Sequence, residues 1–189
     1  MSYKIGVLSD GSSLSNRLKL PFYQLFRNLV HLDTALRTMA LTELELTAIK
    51  AYAEIIHTEN KHLVEIYCPW KSTSKRTFPF PEQYKTLNNE VYKQASSYVR
   101  GNLGSDWDRN NRHHRLYQAN SILVLLGEHY NNPLDVLIVH YDETVSTQLF
   151  IKPIVKLAEH YKIPVIHLID NDSLQLLYDL HPELIKYSK

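Results

Sequence analysis

The clearest pattern of apolar and polar positions runs from Asp135 to Ile169. Val136–Tyr141 is apolar, Asp142–Gln148 is polar, Leu149–His160 is amphipathic, and Ile163–Ile169 is apolar again. Two continuous β-branched runs one helix length apart predict a right-handed βαβ crossover, with parallel strands buried on both faces. The same alternation recurs upstream. Tyr3–Leu8 reads as a first strand, broken by the polar turn Ser9-Asp10-Gly11-Ser12-Ser13. Pro21 suits a helix start, and Phe22, Leu25, Phe26, Leu29 and Val30 follow at helical spacing. Leu36-Arg37-Thr38 reads as a very short strand. Thr42 and Glu45 match a capping box, opening a helix that carries Leu44, Ala48, Ala51, Tyr52 and Ile55 on one face. Leu63–Tyr67 is a strand ended by Pro69, and Trp70–Pro81 reads as a loop. A helix is expected from about Gln83 to Arg100, terminated by Gly101. Asn102–Asn111 reads as irregular. Arg112–Leu126 is a helix before Gly127, and Asp172 or Ser173 caps a last helix over Leu174–Leu180. This alternation predicts a single three-layer α/β sandwich, built on a mainly parallel sheet of about five strands and spanning residues 1–189 as one domain.

Length and composition narrow the function classes. A chain of 189 residues suits one α/β domain with a sizeable core. A net charge of +1 provides no global basic field to recruit nucleic acid or an anionic membrane. The one cysteine, Cys68, excludes an internal disulfide framework and a multi-cysteine zinc site, and it fits a reducing cytoplasm. No signal-peptide pattern and no membrane-length apolar run is present. Five glycines are few for a nucleotide-binding α/β protein, and thirteen tyrosines are many.

From Ile66 onward the chain resembles phage-type members of the SMF/DprA–LOG (SLOG) superfamily, a Rossmann-like nucleotide-binding group. Tyr67-Cys68-Pro69-Trp70-Lys71 is similar to the family's "LPWK" strand end. Trp107-Asp108 matches its "W-D" pair, and Leu125-Leu126-Gly127 its "VLG" helix end. Asn131, Pro133 and Asp135 match an "N-x-P-x-D" lead-in. Ala158, Ile163, Pro164, Val165 and Leu168 match the closing "A-x-x-x-x-I-P-V-x-x-L". The resemblance implies a Rossmann-like fold, a nucleotide-derived ligand and a homo-oligomer paired through helices. It also locates the departures. The family's two glycine-rich loops fall on Met39–Glu45 and on Leu149-Phe150-Ile151, and neither segment contains glycine. Glycine serves there because a phosphate approaches the backbone N–H groups closely, which a Cβ prevents. An "R-N" pair falls on Asn120-Ser121, where the cation is lost. The glutamate-bearing "PGGxGTxxE" pattern of the N-glycosidic hydrolases in the LOG branch is absent, which places that activity last.

Ligands in open α/β sheets sit outside the carboxyl ends of the strands, so the strand-end loops carry the candidate sites. Ser9, Asp10 and Ser12 provide hydroxyl and carboxyl groups after the first strand, and Arg37 lies in the second. Asp142, Thr144, Ser146 and Thr147 follow the long strand, where Ser146 or Thr147 would cap the crossover helix. Asp142 and Glu143 disfavour a bare phosphate and suit a ribose hydroxyl or a cationic group. Trp70, Lys71 and Asn120 complete the ligand-binding candidates. Each also has a plain structural role as a turn, cap or core residue. Two basic-aromatic groups read as partner surfaces: Lys75 and Arg76 in one loop, and Trp107, Arg109, Arg112, His113, His114 and Arg115 in the other. The second combines arginines with an aromatic ring, as single-strand binders do, or is an ordinary solvated helix start. The ten histidines have no metal-ligand spacing, and His140 and His167 read as core residues within apolar runs. No nucleophile motif or P-loop occurs. The expectation is a non-catalytic module, without metal or resident cofactor, holding a nucleotide-derived small molecule at the strand carboxyl ends. The alternative is a phage effector that binds a host protein, or a nucleic acid, on a decayed scaffold in the host cytoplasm.

Overall fold

A computed structural model describes residues 3–56, 63–69, 83–142, 148–169 and 171–180. The elements in chain order are β1 (Lys4–Ser9), α1 (Asn16–His31), β2 (Ala35–Thr38), α2 (Glu43–Ile55), β3 (Val64–Cys68), β4 (Tyr84–Thr86), α3 (Asn89–Leu103), α4 (Ser105–Arg109), α5 (Arg112–Leu126), β5 (Val136–His140), α6 (Gln148–His160), β6 (Val165–His167) and α7 (Asn171–Leu180). The strands form one six-stranded sheet in the order β4-β3-β2-β1-β5-β6. Every neighbouring pair is parallel. This is a three-layer, Rossmann-like sandwich.

Strict alternation along the strands assigns the two faces. Ile5, Val7, Leu36, Val64, Ile66, Val136 and Ile138 point into one core with the apolar stripes of α1 and α2, including Phe22, Phe26 and Tyr52. Leu8, Tyr67, Leu137 and Val139 point into the other, against α3, α5 and α6. Helix α5 is buried all along Tyr117–Leu126, which makes it the central helix of that layer. It also crosses β1 at Gly6, where a Cβ would run into the Leu134 side chain.

Several boundaries differ from the sequence reading, each for a local reason. The sheet gains β4, which pairs Tyr84 with Ile66 at the edge. Helix α3 accordingly starts at Asn89, after Asn88 accepts from the Val91 N–H. A three-residue edge strand inside an amphipathic run has no period of its own to reveal it. Helix α3 also runs past Gly101 and stops at Gly104, the glycine with φ +58°. The segment expected to be irregular contains α4. Pro21 lies inside α1, which begins five residues earlier at Asn16. The capping box is formed as expected, with Thr42 and Glu45 exchanging their hydrogen bonds.

Candidate functional site

The strand numbering climbs outward from β1 to β4 on one side and continues with β5 and β6 on the other. The order therefore reverses between β1 and β5, and the helices that follow them, α1 and α6, pack on opposite faces of the sheet, which leaves a crevice at the strand ends. A cleft of about 850 Å³ occupies that position. It is lined by Asp10, Gly11, Ser12 and Ser13 after β1, by His140, Tyr141 and Asp142 at the end of β5, and by His167, Leu168 and Ile169 at the end of β6.

The lining is held by its own hydrogen bonds. The Asp10 N–H donates to the His140 carbonyl at 3.2 Å, extending the β1–β5 ladder by one step. The Gly11 N–H donates to Ser9 Oγ (3.2 Å), and the Ser12 N–H to Asp10 Oδ1 (2.8 Å). The Asp142 N–H donates to Ser12 Oγ at 3.2 Å, tying the two loops across the cleft floor. On the far wall, His167 stacks on Tyr141 with ring centroids 4.0 Å apart and planes 7° from parallel. His167 Nε2 donates to the Tyr141 carbonyl (3.1 Å), and His140 Nδ1 donates to the Leu168 carbonyl (2.7 Å). A carbonyl only accepts, so each contact fixes the proton on that nitrogen. The other ring nitrogens are His140 Nε2 and His167 Nδ1.

Beneath the cleft lies a carboxyl group with no access to solvent. Glu45 Oε2 accepts from the N–H groups of Leu41 (2.6 Å) and Thr42 (3.1 Å), and Oε1 accepts from that of Ser9 (3.2 Å). Ala40 turns the chain there in the left-handed region, at φ +60°. Burial pushes the Glu45 carboxyl up to about 7, against the opposing pull of those three N–H groups and the Thr42 hydroxyl. The Tyr117 hydroxyl donates to the Ser9 carbonyl (3.2 Å) and is held well above its ordinary value by burial, with Glu45 and Asp10 adding to the effect. Burial, then Glu45, pushes the Cys68 thiol up to about 12, so it remains protonated and unreactive near neutrality.

The structure gathers some of the sequence candidates and separates others. Asp10, Ser12 and Asp142 line the cleft, and Ser9 is buried directly below it. Arg37 faces elsewhere. It is 2% exposed, its Nε lies 3.0 Å from Glu65 Oε2, and Nη1 donates to the Asn132 carbonyl. Asn120 is buried in α5, with Nδ2 donating to the Leu116 carbonyl at 2.8 Å. Trp107 is 5% exposed and packs within the core under Arg115, so its ring is not offered to solvent. Arg115 in turn donates to the Asp108 carbonyl at 2.7 Å. Arg109 at the end of α4 and Arg112 and His113 at the start of α5 are exposed. His114 is partly buried, which lowers its imidazole, as does neighbouring His113. Tyr117 reaches Ser9, so this basic rim stands at the same end of the sheet as the cleft. Trp70, Lys71, Lys75, Arg76, Thr144, Ser146 and Thr147 lie outside the described residues.

Sequence reasoning missed His140, His167 and Tyr141 as lining residues and treated Glu45 only as a cap. The available signal was positional: His140 and His167 are the last residues of β5 and β6. A strand's last side chain leaves the core even when every residue before it is apolar. Comparison with protein-family models, curated proteins and solved structures returns no match.

Proposed function

We propose that the chain is a non-catalytic binding module on a SLOG-like scaffold, holding a nucleotide-derived small molecule in the cleft between β1 and β5. The observation that carries this reading is the coincidence of the cleft with the reversal of strand order. Its size suits a nucleoside-sized ligand, since ligand pockets run to roughly 300–1,000 Å³. A stacked Tyr141–His167 wall offers aromatic area to a base, and Asp10, Ser12 and Asp142 offer partners to sugar hydroxyls. The single cysteine, which leaves no internal disulfide to form, fits a reducing cytoplasm, that of the host if a phage encodes the chain. Among the described residues, no helix is long and apolar enough to cross a membrane.

A thermal-shift panel of nucleosides, nucleotides, cyclic nucleotides and dinucleotides tests the reading. Ligand at 100 times its Kd adds about 2.7 kcal/mol. For a chain of this size that is roughly 5–10 °C in Tm. A flat panel would remove the support and favour a second reading, a host-protein effector. The exposed rim of Arg109, Arg112 and His113 at the same end of the sheet supports that alternative.

A further inference from the structure

We propose that Glu45 is a proton-operated latch on the cleft: as a carboxylate it holds the loop after β1 through the Ser9 N–H, and on taking a proton it releases that loop while keeping the turn after β2. The inference concerns the loop itself and holds whatever the cleft binds.

The two oxygens of the Glu45 side chain are unequally loaded. Oε2 accepts from the N–H groups of Leu41 (2.6 Å) and Thr42 (3.1 Å), whereas Oε1 accepts from that of Ser9 at 3.2 Å. A carboxylate has acceptor sites for all three donors. A carboxylic acid turns one of its oxygens into a hydroxyl donor. The proton belongs on Oε1, where it weakens one long hydrogen bond rather than a pair that includes the shortest. The Ser9 N–H is then left facing a hydroxyl in the interior. The Leu41–Thr42 turn keeps its acceptor, and Thr42 Oγ still accepts from the Glu45 N–H.

Ser9 carries the change to the cleft. It ends β1 and is 1% exposed. Its hydroxyl accepts from the Gly11 N–H (3.2 Å), so a lining residue of the cleft is one hydrogen bond away. Its carbonyl accepts from the Tyr117 hydroxyl (3.2 Å), and the next N–H, that of Asp10, donates to the His140 carbonyl.

Among the described residues, the titratable groups that feel the Glu45 charge are the Cys68 thiol at the end of β3 and the Tyr117 hydroxyl on α5. Both are raised by burial first and by Glu45 second, and both stay protonated through the neutral range. Asp10, next to Ser9, acts on the same Tyr117. On α2 itself, exposed Glu43 pairs with Lys19 of α1 at 2.8 Å. Burial raises Glu45 to about 7, which sets the latch to work near neutrality. The imidazoles of His140 and His167 line the same cleft, so the test must separate their effect from that of Glu45.

Residue-resolved amide hydrogen exchange of the full chain, corrected for intrinsic rates at about pH 6 and about pH 8, tests this beside an NMR titration of the Glu45 carboxyl carbon. The carbon is expected to titrate near 7. Protection of Ser9 and Gly11 should be lower at the acid end by on the order of tenfold, one hydrogen bond's worth, with Leu41 and Thr42 staying within roughly twofold. Global unfolding does not mimic this, because proton uptake by Glu45 makes the folded chain more stable toward acid. Glu45→Gln should hold Ser9 and Gly11 at their acid-form protection at both pH values. A carboxyl carbon that does not titrate in this range overturns the inference, as does unchanged protection at Ser9 and Gly11. An equal loss at Leu41 and Thr42 overturns it too, since the proton would then not be confined to Oε1. A folded Glu45→Gln chain with the wild-type pH dependence assigns the effect to another group, such as the imidazoles, and also overturns it. If that variant does not fold, the wild-type measurements decide alone.

Discussion

Glu45 joins three parts of the molecule through one carboxyl group: the end of β1, the turn after β2 and the start of α2. Burial raises its folded-state value from the ordinary 4.5 to about 7. Between those values the folded chain binds a proton that the unfolded chain does not. Its stabilising contribution is full below about pH 4.5 and is lost as pH rises through about 7, on the order of 3 kcal/mol in all. Chemical denaturation from pH 4.5 to 8 should therefore show this descending component, and Glu45→Gln should abolish it. A Glu45→Gln chain with the wild-type slope would contradict the assignment. At pH 7 the same variant should also be less stable, by about 1–3 kcal/mol, since an amide NH₂ cannot accept from the N–H groups left facing it. Arg37 sits in a second buried network, in which Glu65 Oε2 also accepts from the Tyr67 hydroxyl at 2.6 Å. Arg37→Met should cost about 3 kcal/mol in urea unfolding, the lower end for a broken buried pair, because Glu65 is 29% exposed and regains water. A cost below about 0.5 kcal/mol would place the pair among ordinary surface ion pairs.

The end of α5 shows how an element depends on one backbone conformation. Gly127 caps the helix at φ +76°, ψ 176°, and a Cβ there would lie 3.0 Å from Arg37 Nη2. Gly127→Ala should destabilise the chain by about 1–3 kcal/mol from backbone strain, with added crowding against the guanidinium. A shift in Tm of under 1 °C would show that the turn relaxes freely. Elements with a strong period or a paired signal were legible in the sequence. The β5–α6–β6 crossover, the Thr42/Glu45 cap and α5 between Asn111 and Gly127 all follow from residues within a few positions of one another. The edge strand β4 was not, because three residues become a strand only through pairing with β3, whose partner residues lie 18 positions earlier. The stop of α3 falls at Gly104 rather than Gly101 because Gly104 is the one of the two in the positive-φ conformation, and two glycines three positions apart carry the same local signal. Half of the cleft was legible for the same reason. Ser9–Ser12 and Asp142 are polar loop residues that stand out against apolar strands. His140 and His167 are concealed within apolar runs until register places them at the rim.

The sheet is assembled from distant parts of the chain. The pair at which the strand order reverses joins β1 to β5, and Lys4 and Asp135 exchange hydrogen bonds across 131 residues, at 2.7 Å to the carboxyl and 2.9 Å to the Lys4 carbonyl. A wholly parallel sheet closed by such long-range contacts should refold on the millisecond-to-second scale in stopped-flow fluorescence, whereas microsecond refolding would require a more local nucleus. The same long-range pair frames the cleft, since β1 and β5 run side by side while the helices that follow them, α1 and α6, pack on opposite faces. The most direct test of that claim is amide chemical-shift mapping of the isotopically labelled chain during titration with adenosine, guanosine, cytidine and uridine. The predicted result is a saturable set of shifts confined to Asp10–Ser13, His140–Asp142 and His167–Ile169. Saturable shifts centred instead on Arg109–Arg115, or none at all, would contradict a ligand site at the junction of β1 and β5.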